Sequence, residues 1–153
     1  MTDRDATQPV PEDPDGRGGG TRAAGGRGRR ARPAWFGTLG QLDFDIDFFE
    51  RLLSRRPDAV EVLRVLAELV SKKGDLPRAV EIDGRLVELL PADCLARYNL
   101  ACSLARTGRN DEAVDALSRA ILLGYDDLAH MESDPDLEGL RDHPDYRALL
   151  GGD

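Results

Sequence analysis

The stretch from Arg97 to Asp127 repeats, at a distance of 34 residues, the pattern of the stretch before it. Leu100 falls on Leu66, Ala101 on Ala67, Gly108 on Gly74, Ala113 on Ala79, Val114 on Val80, Arg119 on Arg85 and Leu123 on Leu89. A turn glycine and small residues held in register over such a period are the mark of a helical repeat. In that architecture one helix pair cannot bury its apolar face alone and must stack on the next. The feature predicts an all-α chain built from antiparallel helix pairs.

Within this frame each unit reads as two amphipathic helices folded back across a turn. In the first, Val60 to Lys73 places Leu63, Leu66, Ala67 and Val70 on one face, and Pro77 to Leu90 follows the turn Gly74-Asp75-Leu76-Pro77. Glycine just past a helix end and proline in the first turn of the next are the expected punctuation. Gly84 sits inside the second helix, where it costs roughly 1 kcal/mol relative to Ala, and is expected to mark a close helix contact. The second unit begins at Pro91 and turns at Thr107-Gly108-Arg109-Asn110. Pro57 lies 34 residues before Pro91, so the helix at 43–54 is expected to be the second half of an earlier, incomplete unit. Its 3,4 spacing puts Phe44, Phe48 and Leu52 on the apolar face, with Phe49 and Leu53 flanking. Asp43, Asp45 and Asp47 suit its N-terminal end through the helix dipole. They do not make a calcium loop, because the glycine turn and distal Glu are missing.

After Tyr125 the register decays. Asp127 to Glu132 can begin another helix, which Asp134-Pro135 interrupts. Two short segments follow: Pro135 to Arg141, capped by Ser133 or Asp134, and Pro144 to Leu150, capped by Asp142 or His143. Leu137, Leu140, Tyr146, Leu149 and Leu150 give them an apolar face, as befits a terminal cap on the stack.

The 34-residue pattern does not reach the first 38 residues. Nine Gly and four Pro stand in the first 40, with almost no aliphatic side chain, so this segment is expected to be a disordered tail. Residues 1–40 carry seven Arg against five acids, net +2, while the remaining 113 carry 14 basic and 24 acidic side chains, net −10. An acidic body is a poor binder of nucleic-acid backbones. Nucleic acid or an acidic partner is therefore a reading for the Arg/Gly-rich tail alone, whose Gly16–Arg32 stretch holds six Arg and no acid. Trp35 or Phe36 is expected to pack on the end of the stack. No apolar run approaches the roughly 18 residues of a membrane span, and the acidic, proline-broken N-terminus lacks a signal pattern, which predicts a cytoplasmic location. Cys94 and Cys102, eight apart on one helix, are separated by roughly 12 Å, beyond the about 7 Å that a disulfide tolerates.

These residues resemble the tetratricopeptide repeat. The first unit supplies Leu63, Leu66-Ala67, Val70, Gly74, Ala79 and Pro91, with Asp83 at an apolar position. The second supplies Arg97, Leu100-Ala101, Leu104, Gly108, Ala113, Leu117 and Ala120, with Tyr125 where Pro is usual. The segment Asp134 to Leu150 is similar to the end-of-array cap of bacterial proteins of this kind. The resemblance implies a right-handed solenoid over residues 39–150: a half repeat at 43–56, repeats at 57–90 and 91–124, and a cap at 125–150.

It also implies a function. Such folds line a concave face with the first helix of each repeat, here Glu61, Arg64, Glu68 and Ser71, then Leu95, Tyr98, Asn99, Cys102 and Ala105. A protein or peptide partner is expected on that face, with Arg64, Glu68, Tyr98, Asn99 and Cys102 as its binding residues. Tyr98 and Arg64 would be the anchors, since Tyr and Arg dominate interface energetics. Some members of the family clamp a peptide carboxylate with Lys, Asn and Arg. Asn99 matches one Asn position and Arg64 stands for the Lys, but Glu68 replaces the other Asn, which argues against that clamp. Self-association through the array ends is a further possibility. No Cys-x-x-Cys, His-x-x-x-His or phosphate loop is present, and the two His, His130 and His143, both fall in the capping segment. The sequence therefore predicts a scaffold without catalytic, cofactor or metal site.

Overall fold

The 34-residue period becomes a run of helices, each packed on the next. The computed structural model describes residues 38–151. Among these are α1 (Thr38–Arg55), α2 (Val60–Lys73), α3 (Leu76–Leu89), α4 (Cys94–Arg106), α5 (Asn110–Leu122), α6 (Leu128–Ser133), a 3-10 helix (Pro135–Leu140) and α7 (Pro144–Leu149), with no strand. Helices α1 to α5 pack in order, α4 also meets the 3-10 helix, and α7 lies against α5. The tail with its Gly16–Arg32 stretch, and Trp35 and Phe36, lie outside the described residues. No helix among them is long and apolar enough to cross a membrane.

The turns follow from glycine chemistry. Gly74 and Gly108 end α2 and α4 with φ of 81° and 77°, the left-handed region that a Cβ disfavours. The next amide in each case reaches back to the helix: Asp75 N to Val70 O and Arg109 N to Leu104 O, both 3.0 Å. This pattern satisfies carbonyls that the helix end leaves open. Carboxylates close the opposite ends, Asp75 on α3, Asp93 on α4 and Asp127 on α6.

The core has two continuous parts. Leu63, Leu66 and Val70 of α2 meet Ala79, Ile82 and Leu86 of α3 and Ala96 of α4. The second part joins α4 and α5 to Met131, Leu137, Leu140 and Tyr146 of the closing segment. Asp134, not Ser133, caps the 3-10 helix, accepting the Asp136 amide at 2.9 Å. His143 occupies the N-cap of α7 without a side-chain capping bond.

Helix α1 differs from the sequence expectation in two ways. It begins at Thr38, so Asp43, Asp45 and Asp47 lie inside it rather than at its N-terminal end. There they take part in ion pairs and hydrogen bonds: Asp43 with Lys73 at 2.7 Å, Asp47 with Arg51 at 2.8 Å, and Asp45 with Gln41 at 2.6 Å. The packed face is Ile46, Phe49 and Leu53, while Phe44 and Phe48 are 52% and 48% exposed. The Arg78 guanidinium of α3 grips Glu50 through both carboxylate oxygens at 2.8 and 3.0 Å, a contact that fits this rotation of α1.

Gly84 also departs from expectation, since a Cβ built there meets nothing within 4 Å. No close contact requires the glycine. Gly84→Ala is therefore expected to stabilise the fold by about 0.5–1 kcal/mol, read as a rise in the urea midpoint at unchanged slope.

Candidate functional site

Helices α2 and α4 present their polar sides to a cleft of about 300 Å³ whose floor is α3 and whose end is the 3-10 helix. Arg64, Glu68 and Ser71 line it from α2, and Asn99, Cys102, Ser103 and Arg106 from α4. Asp83 and Leu86 rise from α3, and Asp136 comes from the 3-10 helix. Two arginines frame the opening, and both are held. Arg64 Nη2 donates to Asp93 Oδ2 at 2.6 Å. Asp93 is drawn below the usual carboxylate range by the Ala96 amide and then by Arg64, against some desolvation. Arg106 donates to the Ser71 hydroxyl and lies 3.5 Å from Asp136 Oδ1.

Of the five residues expected to bind a partner, Arg64, Glu68, Asn99 and Cys102 come together in this cleft. Tyr98 does not. It is 5% exposed, its ring stacks on Tyr125 at 4.4 Å between centroids and 8° between planes, and its hydroxyl donates to Asp134 Oδ2 at 2.6 Å. The periodicity that put Tyr98 on the open face did not include the closing segment, which packs over it. Burial, then the Asp134 carboxylate, holds the Tyr98 phenol far above its ordinary range. Cys102 Sγ is 3.8 Å from the same Asp134 oxygen. Burial, and then Asp134, pushes its thiol up, so it stays protonated and is a weak nucleophile. Of the other residues assigned to that face, Ala105 is buried in the core and Leu95 is 55% exposed outside the cleft.

The sequence reading missed Asp83, Ser103, Arg106 and Asp136. Asp83 drew notice only as a departure from an apolar position. In the structure it is 4% exposed and accepts the Ser103 hydroxyl through Oδ2 at 2.6 Å. Burial pushes its carboxyl up to about 6, against the opposing hydrogen bond from Ser103. The signal was available: a Ser one helix on, at a position otherwise apolar, is a partner for a buried acid. Among the described residues no group of three or more His, Cys, Asp or Glu is placed to hold a metal ion.

No family model matches the chain. Over 56 residues, 37% of its length, it is 39% identical to a chloroplastic protein of Arabidopsis thaliana. That match spans 17% of the Arabidopsis protein, so the likeness is to a segment of it.

Two outcomes follow from this geometry. Tyr98→Phe takes from the buried Asp134 Oδ2 its strongest donor, leaving the weak Cys102 thiol and the more distant His130, and is expected to cost about 1–3 kcal/mol, measured by urea unfolding. Asp83 gives a pH dependence of definite sign. Its carboxyl loses its proton near 3.8 when unfolded and near 6 when folded. Between these values only the folded chain holds the proton, so the contribution of Asp83 to stability falls as pH rises through that window, by an order of 3 kcal/mol in all. Asp83→Asn removes this loss. The variant is expected to be more stable than the parent at pH 7.5, with the gap closing towards pH 4, in paired unfolding curves that cancel the other carboxylates.

Proposed function

We propose that this chain is a short tetratricopeptide-type array whose cleft between α2 and α4 takes an extended segment of a protein partner. The 34-residue period with its glycine turns supports the repeat assignment. The observation that carries the functional reading is the pair of arginines, Arg64 and Arg106, each fixed by its own partner on either side of a cleft lined by polar and apolar side chains. An arginine already held in one geometry loses little entropy on binding, and arginine is among the residue types enriched at interface hot spots. The cleft volume of about 300 Å³ is at the small end of ligand pockets and suits a strip of peptide better than a second folded domain. Asn99, exposed on α4, offers both a donor and an acceptor to a peptide backbone.

The test is capture of a partner by the full chain, followed by titration of the captured protein's peptides in solution. Arg106→Ala and Asn99→Ala are each expected to weaken the selected peptide about tenfold or more, the effect of a hot-spot loss, with the helical circular dichroism unchanged. A chain starting at residue 38 is expected to bind equally well and with little salt dependence. Loss of all binding on that truncation, with steep salt sensitivity, would move the function to the Arg/Gly-rich tail.

A further inference from the structure

The floor of the cleft holds a carboxylate, Asp83, that pairs with no cation among the described residues. The cations around it are already engaged: Arg64 with Asp93, Arg106 with Ser71 and Asp136, and Lys72 with Glu68 at 2.7 Å. Glu68 and Asp136 thereby have cations of their own. Asp83 has none. Among the described residues its donor is the Ser103 hydroxyl, on Oδ2. Oδ1 accepts no hydrogen bond among the described residues. Asp83 is itself one of the residues that line the cleft.

A carboxylate in this position has given up most of its hydration and received one neutral donor in return. Burying an ionised group is costly unless a counter-charge and further hydrogen bonds meet it. An apolar or acidic ligand group would leave that cost in place or raise it, whereas a cationic one removes it. Leu86 and Ala67 in the same lining give an aliphatic stem something to lie against, as long basic side chains require.

We propose that Asp83 sets the specificity of the cleft by receiving the ammonium or guanidinium group of a lysine or arginine side chain on the bound peptide. This rests on the reading of the cleft as a peptide site and names the chemistry of its ligand. Arg64 and Arg106 then act on the peptide's backbone carbonyls and carboxylates, and Asp83 reads one basic side chain between them.

The arrangement carries a pH signature. The groups facing Asp83 are Arg64 and Glu68 from α2, Cys102, Ser103 and Arg106 from α4, and Asp136 from the 3-10 helix. No histidine lines the cleft, and the Cys102 thiol remains protonated. Binding takes the ionised form of Asp83, so affinity for a basic peptide is full above the folded carboxyl's midpoint near 6 and falls as pH drops through it.

The experiment is a selection of random peptides displayed on phage against the full-length protein, then calorimetric titration of the synthetic winners. The expected result is enrichment of Lys or Arg at one fixed position. Replacing that residue by norleucine or citrulline is expected to weaken binding about tenfold on the parent protein and to change little on Asp83→Asn. The Asn side chain can still accept the Ser103 hydrogen bond. If that variant fails to fold, the norleucine peptide and the pH profile test the same contact on the unaltered protein. Cleft-dependent peptides, lost in Asn99→Ala, that show no basic preference overturn the assignment of Asp83 and leave the groove reading standing. A selection that returns no cleft-dependent peptide overturns both.

Discussion

The close approach of consecutive helices at small residues is the constraint on which the rest depends. Ala79, Ala101, Ala113 and Ala120 are all fully buried, as are the large Leu66 and Leu117 beside them. An alanine at a crossing lets two backbones draw together, and the leucines one turn away fill the grooves on either side. Helix α4 shows the result. It is packed by α3, α5 and the 3-10 helix, and Ala96, Tyr98 and the whole run Ala101 to Ala105 are buried. A helix enclosed in this way has little freedom to rotate, so the side chains it gives to the cleft hold a fixed direction.

On this apolar frame the polar contacts do a second job, which is to set how successive units are placed. Glu50 with Arg78, Asp93 with Arg64, and Ser71 with Arg106 each join residues about one repeat apart in the chain. These pairs are partly exposed, so each is worth little as a stabilising term. Their value is geometric: each fixes the approach of two helices, most narrowly where Arg78 holds both oxygens of Glu50. Asp134 does the same for the closing segment. One of its oxygens caps the 3-10 helix, and the other takes the Tyr98 hydroxyl from α4.

How much of this could be read from the sequence follows from which contacts are local. Helix positions and glycine turns depend on neighbours a few residues away and are exposed by a period of 34, and the capping segments show through the prolines and cap residues that open them. The rotation of α1 does not. Its apolar residues at 44, 46, 48, 49, 52 and 53 allow two overlapping faces, and the one used is that on which Ile46, Phe49 and Leu53 meet the core of α2 and α3, with Arg78 and Lys73 of other helices pairing with its acids. Tyr98 was misplaced for the same reason: the open face of one repeat is covered when a later segment with no register of its own folds onto it. Four of the five residues assigned to the face do line one cleft, because the first helices of the two units repeat their orientation. Asp83 was visible only as an anomaly, since its meaning required Ser103, twenty residues on.

That anomaly is the most informative position in the chain. At the other interior sites of α3 the structure uses Ala79, Ile82 and Leu86, and an apolar side chain at 83 would add to the same core at no electrostatic cost. A carboxylate there raises the energy of the folded state at neutral pH. Ser103 offsets part of this and cannot supply the missing charge. A group that weakens the fold while facing an open cleft is poised to gain more from a ligand than a satisfied one would, because the ligand removes a cost already present in the free protein. A purely structural Asp83–Ser103 clip would be served as well by a neutral amide, which makes the same hydrogen bond without the burial of charge. The carboxylate differs from that amide in carrying a charge and in having acceptors only, and both differences suit a cationic group arriving from the cleft that Asp83 lines.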